Sequence, residues 1–132
     1  MENSNQAMPP DTLTVKVAAL EPGRVLVAAL GEIDLATNLE WQERLSGALD
    51  PPPPAVLVAD LTKVSFLGSH GLNSLVRVQE KAEETGTDFR VVGSHRAVLR
   101  PIELTGLSGH LHLFDSLDAA LAAQHHPRVQ RP

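Results

Sequence analysis

The residues best suited to take part in chemistry lie in a predicted loop, Leu61–His70 (LTKVSFLGSH). Phe66 and Leu67 are apolar enough to anchor this loop to the core. There Ser69 stands at or beside the start of a predicted helix. Its hydroxyl can cap that helix by accepting a backbone N–H, an interaction worth about 1 kcal/mol. It can also accept a phosphate, which would meet free N–H groups and the positive end of the helix dipole. The spacing alone leaves both interpretations open.

Two other functions, hydrolysis by a serine nucleophile and metal binding by histidines, are weakly supported by the sequence. A serine hydrolase elbow needs a glycine two positions before the nucleophile, and Leu67 occupies that position. His70 is badly placed to take a proton from Ser69, because adjacent residues entering a helix point in different directions. His110 and His112 can share one face of a strand, but no third ligand has a suitable spacing for a metal. We therefore predict that the chain is not an enzyme and holds no metal or cofactor.

The composition argues against nucleic acid and membrane as partners. The 132 residues carry 11 Lys and Arg against 16 Asp and Glu, a formal charge of −5, which repels phosphate backbones. One Trp, three Phe and no Tyr offer little material for stacking on bases. The sequence shows neither a secretory signal nor the run of about 18 apolar residues that a spanning helix needs. With no cysteine in the chain, we expect a cytoplasmic protein.

The distribution of apolar residues predicts one domain between two tails. Residues 1–11 and 125–132 are polar or broken by proline and have no periodicity, so we expect flexible tails there. The domain is predicted to span 12–124. Trp41 stands alone on its helix, and we expect partial burial rather than an exposed contact for a partner.

Within the domain, apolar periodicity and turn residues predict an α/β fold: a mixed sheet of about five strands with about four helices. Thr37 and Glu40 have the spacing of a capping box, Ser94 can cap the third helix, and Pro101 is predicted to kink or split that helix. The predicted strands are 13–19, 24–30, 55–60, 89–92 and 112–114. The predicted helices are 37–49, 69–85, 94–104 and 116–123.

Four segments, in order along the chain, resemble the successive motifs of STAS-domain anti-sigma-factor antagonists. They are Gly31–Thr37 (GEIDLAT), Asp60–Leu61, Val64–Leu72 (VSFLGSHGL) and Pro101–Leu107 (PIELTGL). The resemblance covers about Leu13–Ala123. It implies a partner-switching cycle in which the unmodified antagonist binds an anti-sigma factor that has serine kinase activity, so that a sigma factor is released. Phosphorylation would end the interaction, and a serine phosphatase would restore it.

The resemblance also implies roles for individual residues. The family's acceptor serine falls on Ser69. Its partner-contact surface includes a loop and the first turns of the second helix, here Glu32, Asp34, Gly68, His70, Gly71, Leu72 and Asn73. From the residues alone, partner contact and a role in solubility or helix capping fit Glu32 and Asp34 equally well.

Two positions depart from the family pattern. Gly68 stands where the family usually has an aspartate, and His70 replaces what is commonly a small hydroxyl residue. An orienting or kinase-contacting carboxylate is therefore missing beside Ser69. Gly68 supports the alternative function, a phosphorylation-independent STAS scaffold or a small-ligand sensor. The sequence makes no prediction about the oligomeric state.

Overall fold

A mixed sheet of five strands organises the computed structural model, which describes residues 12–21 and 23–123. The strands lie side by side in chain order: β1 (Leu13–Glu21), β2 (Arg24–Ile33), β3 (Val56–Leu67), β4 (Asp88–Val92) and β5 (His112–Phe114). The first pair is antiparallel and the other three pairs are parallel. This confirms the predicted α/β fold, whereas the predicted tails 1–11 and 125–132 lie outside the described residues.

In the part of the chain that the structure describes, four helices cover the two faces of the sheet. They are α1 (Asn38–Gly47), α2 (Ser69–Thr85), α3 (Arg96–Leu104) and α4 (Leu117–Ala122). The buried side chains of α1, α2 and α3 join the main core, whereas Ala120 of α4 joins a smaller cluster with Val56, Val58 and Val92 on the opposite face. The sheet therefore carries three helices on one face and one on the other.

The predicted bounds of α2 and β5 are confirmed. The second helix spans Ser69–Thr85 and ends at Gly86, whose φ of 78° is the left-handed conformation that favours glycine after a helix. Its buried residues include Leu75 and Val78, each fully shielded from solvent. The regular spacing of these apolar residues made the helix easy to predict.

The structure corrects the loop predicted over 61–70, because β3 continues to Leu67. Leu61, Val64 and Leu67 are buried while the residues between them are exposed. This spacing of three differs from the alternation of a regular strand. The pairing of β2 with β3 shifts register twice along this stretch, which explains the irregular pattern.

The third helix is continuous through Pro101, so it is not split there, and the alternative of a kink stays a prediction. Three smaller expectations for the helices are wrong. The third helix begins after His95, so Ser94 is not its cap. Thr37 precedes α1 but makes no side-chain cap, so the capping box is absent. Trp41 is fully buried instead of partly buried, which excludes it as an exposed contact for a partner.

Candidate partner-binding surface

Ser69 is the first residue of α2, and its side chain is exposed to solvent. Gly68 occupies the N-cap position and has no side chain to bond the first turn of the helix. Within the described part of the chain, the Ser69 hydroxyl makes no hydrogen bond, so its predicted role as a cap is wrong. The first turn of α2 also contains no acidic residue. The amino end of this helix therefore carries its partial positive charge without a carboxylate in its own first turn.

The position of Ser69 is fixed by close packing of α2 against the ends of β2 and β3. The Gly68 N–H donates to the carbonyl of Ile33 at 2.9 Å. A Cβ atom added at Gly71 would lie 2.6 Å from Cγ2 of Ile33 and 2.7 Å from Cδ1 of Leu67. Only a glycine allows the helix to approach the strand ends this closely.

Two residues predicted to touch the partner lie beneath the surface. Gly71 is buried, and Leu72 is 6% exposed. Burial of these two residues favours a role in supporting the surface, and their contact with a partner stays a prediction. His70 and Asn73, which share the first turns of α2 with them, are exposed. Their side chains make no hydrogen bond with the described residues, so both are available at the surface.

Glu32 at the end of β2 and Asp34 in the loop after it lie at the same edge of the sheet, but the two acidic side chains make different contacts. The Asp34 carboxylate accepts hydrogen bonds from the backbone N–H groups of Ala36, at 2.9 Å, and Thr37, at 3.1 Å. This carboxylate holds the turn before α1, which is a local structural role. The Thr37 hydroxyl donates to the carbonyl of Glu32 at 2.7 Å instead of capping the helix. The half-buried Glu32 side chain makes no bond with the described residues.

Large apolar side chains are exposed around this edge, and the sequence analysis missed them. Leu35 is 74% exposed, Leu39 65% and Phe66 50%. Phe66 adjoins the phosphoacceptor candidate, because its Cε2 atom lies 3.1 Å from the position of a Cβ added at Gly68. Exposed apolar groups gathered at one edge are typical of a protein interaction site.

The exposure of Leu39 could have been predicted from the spacing of apolar residues in the sequence. Trp41, Leu45 and Leu49 lie four residues apart and form one buried face of the α1 region. Leu39 lies two residues before Trp41 and therefore on another side of the helix. The exposed position of Phe66 has no comparable signal, because it depends on the irregular register of β3.

The remaining polar clusters in the described residues have structural explanations. Asp88 and Arg90 are fully buried and form an ion pair at 2.9 Å. His112 lies 3.0 Å from the same Asp88 carboxylate, and His110 lies outside β5. In residues 12–21 and 23–123, no group of three or more His, Asp or Glu side chains is arranged to hold a metal ion.

No helix in the described ranges is both long enough and apolar enough to cross a membrane.

The family model of the STAS domain matches residues 16–120. The chain belongs to the STAS domain family. This STAS protein is 38% identical over 122 residues to the anti-sigma-F factor antagonist RsfB of Mycobacterium tuberculosis, a match that covers 92% of this chain and 98% of that protein.

Solved structures agree with this assignment. The crystal structure of an anti-sigma factor antagonist from Mycobacterium paratuberculosis matches with a TM-score of 0.76 and 40% identity, covering 87% of this chain and 96% of that one. The unphosphorylated form of the anti-sigma factor antagonist SpoIIAA matches with a TM-score of 0.71, covering 82% of this chain and 93% of that one. Its 14% identity shows a shared fold alone.

Proposed function

We propose that the STAS protein is an anti-sigma-factor antagonist that binds an anti-sigma factor in the cytoplasm and so releases a sigma factor. We further propose that the partner has serine kinase activity and that phosphorylation of Ser69 ends the binding. A serine phosphatase would restore the unmodified form. The observation that carries this proposal is the exposed Ser69 hydroxyl at the start of α2, which makes no hydrogen bond with any residue in 12–21 or 23–123.

The environment of Ser69 supports modification without unfolding. The first N–H groups of a helix have no partner within the helix, and here no side-chain cap or acidic residue competes for them. A phosphate at this end is favoured by the helix dipole, typically by about 0.3–1 kcal/mol. The added charge of about −1.5 to −2 would lie on the surface and not in the core.

The surroundings of Ser69 support a protein partner. Three exposed apolar side chains, Leu35, Leu39 and Phe66, supply area to bury. Partner contacts are also proposed for five other residues at this edge, which are Glu32, Asp34, Gly68, His70 and Asn73. A partner docked over this mixed surface would cover Ser69. A phosphate there would then have to be desolvated and would repel acidic groups of the partner, which costs affinity.

The kinase step can be tested with a purified anti-sigma-F factor and ATP. Intact mass spectrometry is expected to detect one added phosphate on the STAS protein and none on the Ser69→Ala variant. Tight binding without any mass increase would reject the switch and favour the phosphorylation-independent scaffold. That second function is supported by Gly68, which leaves Ser69 without an adjacent carboxylate.

The binding step needs a charge-matched control. Ser69→Asp is expected to weaken binding of the anti-sigma-F factor at least about ten-fold in calorimetry, because like charges at an interface cost affinity. Ser108→Asp places the same charge on an exposed turn outside the proposed surface and is expected to bind like the wild type. Both variants should keep the wild-type melting temperature. Equal affinities of Ser69→Asp and Ser108→Asp would contradict the proposed mechanism.

A further inference from the structure

The second half of β1 forms an uncovered edge of the sheet. β1 stands at the end of the strand order, so one side of its backbone faces no described strand. Leu13 and Val15 are buried, but every residue of Lys16–Glu21, which we call the β1 edge, is exposed. It includes two large apolar side chains, Val17 at 46% and Leu20 at 44% exposure. An open apolar edge of this kind is a template for pairing with another strand.

Two contacts show which backbone groups of β1 point toward this open side. In an antiparallel pair, residues alternate between directing both backbone groups at the partner strand and directing both away from it. The Val15 carbonyl accepts a hydrogen bond from the Arg44 side chain of α1 at 3.2 Å. Gly31 of β2, which lies opposite Leu13, has its carbonyl bonded to the Ser65 hydroxyl of β3 at 3.3 Å and so directed away from β1. Both contacts indicate that the odd-numbered residues of β1 direct their backbone groups outward.

This alternation leaves two residues of the β1 edge with open backbone groups. Val17 and Ala19 follow Val15 at intervals of two, and the register with β2 stays regular as far as Ala19. Their N–H and C=O groups therefore face no described strand, whereas Arg44 already occupies the Val15 carbonyl. Ala18 lies between them, and its small side chain is exposed. The open backbone groups are thus arranged symmetrically about Ala18.

A second copy of the chain fits this symmetry. When two β1 edges run antiparallel about a two-fold axis at Ala18, Val17 of each copy lies opposite Ala19 of the other. Each of these two pairs then exchanges two backbone hydrogen bonds. The two Ala18 residues meet at the axis as a pair without hydrogen bonds, where opposite side chains lie closest, and only methyl groups have to fit there.

The charges at the two ends of the β1 edge are opposite. Lys16 precedes the axis and Glu21 follows it, so the antiparallel pairing brings each Lys16 to the Leu20–Glu21 end of the other copy. Lys16 pairs with Ala28 on β2 and Glu21 with Arg24, which places both side chains on the same face of the sheet. Glu21 also forms an ion pair with Arg24 at 3.1 Å but keeps 57% of its side chain exposed. Each copy therefore supplies the charge opposite to the one it meets.

We propose that the chain forms a two-fold symmetric dimer in which two β1 edges pair antiparallel about Ala18. The occupant of the β1 edge is a second copy because its open backbone groups and its end charges complement themselves about a two-fold axis. The β1 edge contains none of the residues assigned to the anti-sigma factor, so the dimer stands or falls separately from the proposed antagonist function.

The first test measures the mass of the full chain by analytical ultracentrifugation over a wide range of protein concentration. A monomer–dimer equilibrium that depends on concentration is expected. Ala18→Glu places two carboxylates against each other at the axis and is expected to raise the dissociation constant of the dimer at least about ten-fold. Thr62→Glu adds the same charge at an exposed position of β3 and is the matched control, expected to dimerise like the wild type. Circular dichroism should show that both variants are folded.

A charge exchange tests the antiparallel register. Lys16→Glu and Glu21→Lys each bring like charges together at both ends of the paired edges, so neither variant alone is expected to dimerise as tightly as the wild type. An equal mixture of the two variants is expected to dimerise, because their charges complement each other. In the wild type, hydrogen exchange of the Val17 and Ala19 amides should slow as protein concentration rises. The Ala18 amide, which points toward β2, should be unaffected.

Several results would overturn the proposal. A monomer at every concentration is one, and a dimer that Ala18→Glu leaves unchanged is another. A mixture of the two charge variants that dimerises no better than either alone would also overturn it. If the Val17 and Ala19 amides become protected only when an anti-sigma-F factor is added, the β1 edge binds a strand of that partner and the assignment to a second copy is wrong.

Discussion

One added methyl group at Gly71 tests whether close packing of α2 sets the position of Ser69. In Gly71→Ala, the new Cβ would lie 2.6 Å from Cγ2 of Ile33 and 2.7 Å from Cδ1 of Leu67. Carbon atoms prefer separations of about 3.5–4.0 Å, so both contacts are strongly repulsive. Ile33 is fully buried and Leu67 is 3% exposed, which leaves neither side chain free space to move into.

The expected change in the unfolding free energy follows from two opposing effects. Overpacking a core site costs about 1–3 kcal/mol, while replacing glycine by alanine in a helix gains up to about 1 kcal/mol. Gly47→Ala isolates the second effect, because nothing lies within 4 Å of a Cβ added at that helical position. The difference in unfolding free energy between the two variants should therefore be about 1–3 kcal/mol, with Gly71→Ala the less stable.

Urea denaturation followed by circular dichroism measures this difference directly. The dependence of the unfolding free energy on urea should be the same in both variants, since each keeps the same surface to expose. Equal stability of Gly71→Ala and Gly47→Ala would refute the packing argument. If Gly71→Ala kept full stability but lost affinity for the anti-sigma-F factor, Gly71 would belong to the contact surface, as the family resemblance implies.

Three further substitutions test other parts of the structure. Arg90→Met removes the guanidinium that is paired with buried Asp88. The unfolding free energy measured by urea denaturation should fall by about 3–5 kcal/mol. A loss below about 1 kcal/mol would contradict a structural role for the pair. Leu39→Ser should change the unfolding free energy by no more than about 0.5 kcal/mol, because Leu39 is 65% exposed. It should nevertheless weaken binding of the anti-sigma-F factor in calorimetry. Unchanged affinity would show that Leu39 is not part of the proposed surface. Gly68→Asp should fold normally, since a φ of −88° suits any residue and the exposed Phe66 ring, 3.1 Å from the added Cβ, has room to move. It should speed phosphorylation of Ser69 in a timed mass assay. An unchanged rate would show that the missing carboxylate is not limiting.

The sequence predicted those elements whose apolar pattern is local and regular. The bounds of α2 could be predicted because Leu75, Val78 and Ala82 recur at helical spacing and Gly86 terminates the helix. The end of β3 was missed because its buried residues follow a bulged register set by β2, which is distant in the sequence.

The candidate site divides in the same way. The place of Ser69 at the start of α2 follows from local sequence and was predicted. The burial of Gly71 and the exposure of Phe66 depend on how α2 packs against two strand ends, so neither was predicted. Thr37 shows a competing local interaction. Its spacing from Glu40 fits a capping box, but its hydroxyl forms hydrogen bonds with Asp34 in the preceding turn instead.

The energies of side-chain burial and of the helix dipole also bear on how a phosphate on Ser69 would act. To shift α2 it would have to expose side chains such as Leu75 and Val78, which are fully buried and each stabilise the fold by about 1.5–3 kcal/mol. The interaction of a phosphate with the end of the helix is worth about 0.3–1 kcal/mol at an exposed site. Because this interaction is favourable at the end of the intact helix and displacement would expose buried side chains, we expect phosphorylation to leave the helix in place. We then expect its effect on a partner to come from charge at the surface, so Ser69→Asp should change affinity and leave the melting temperature unchanged.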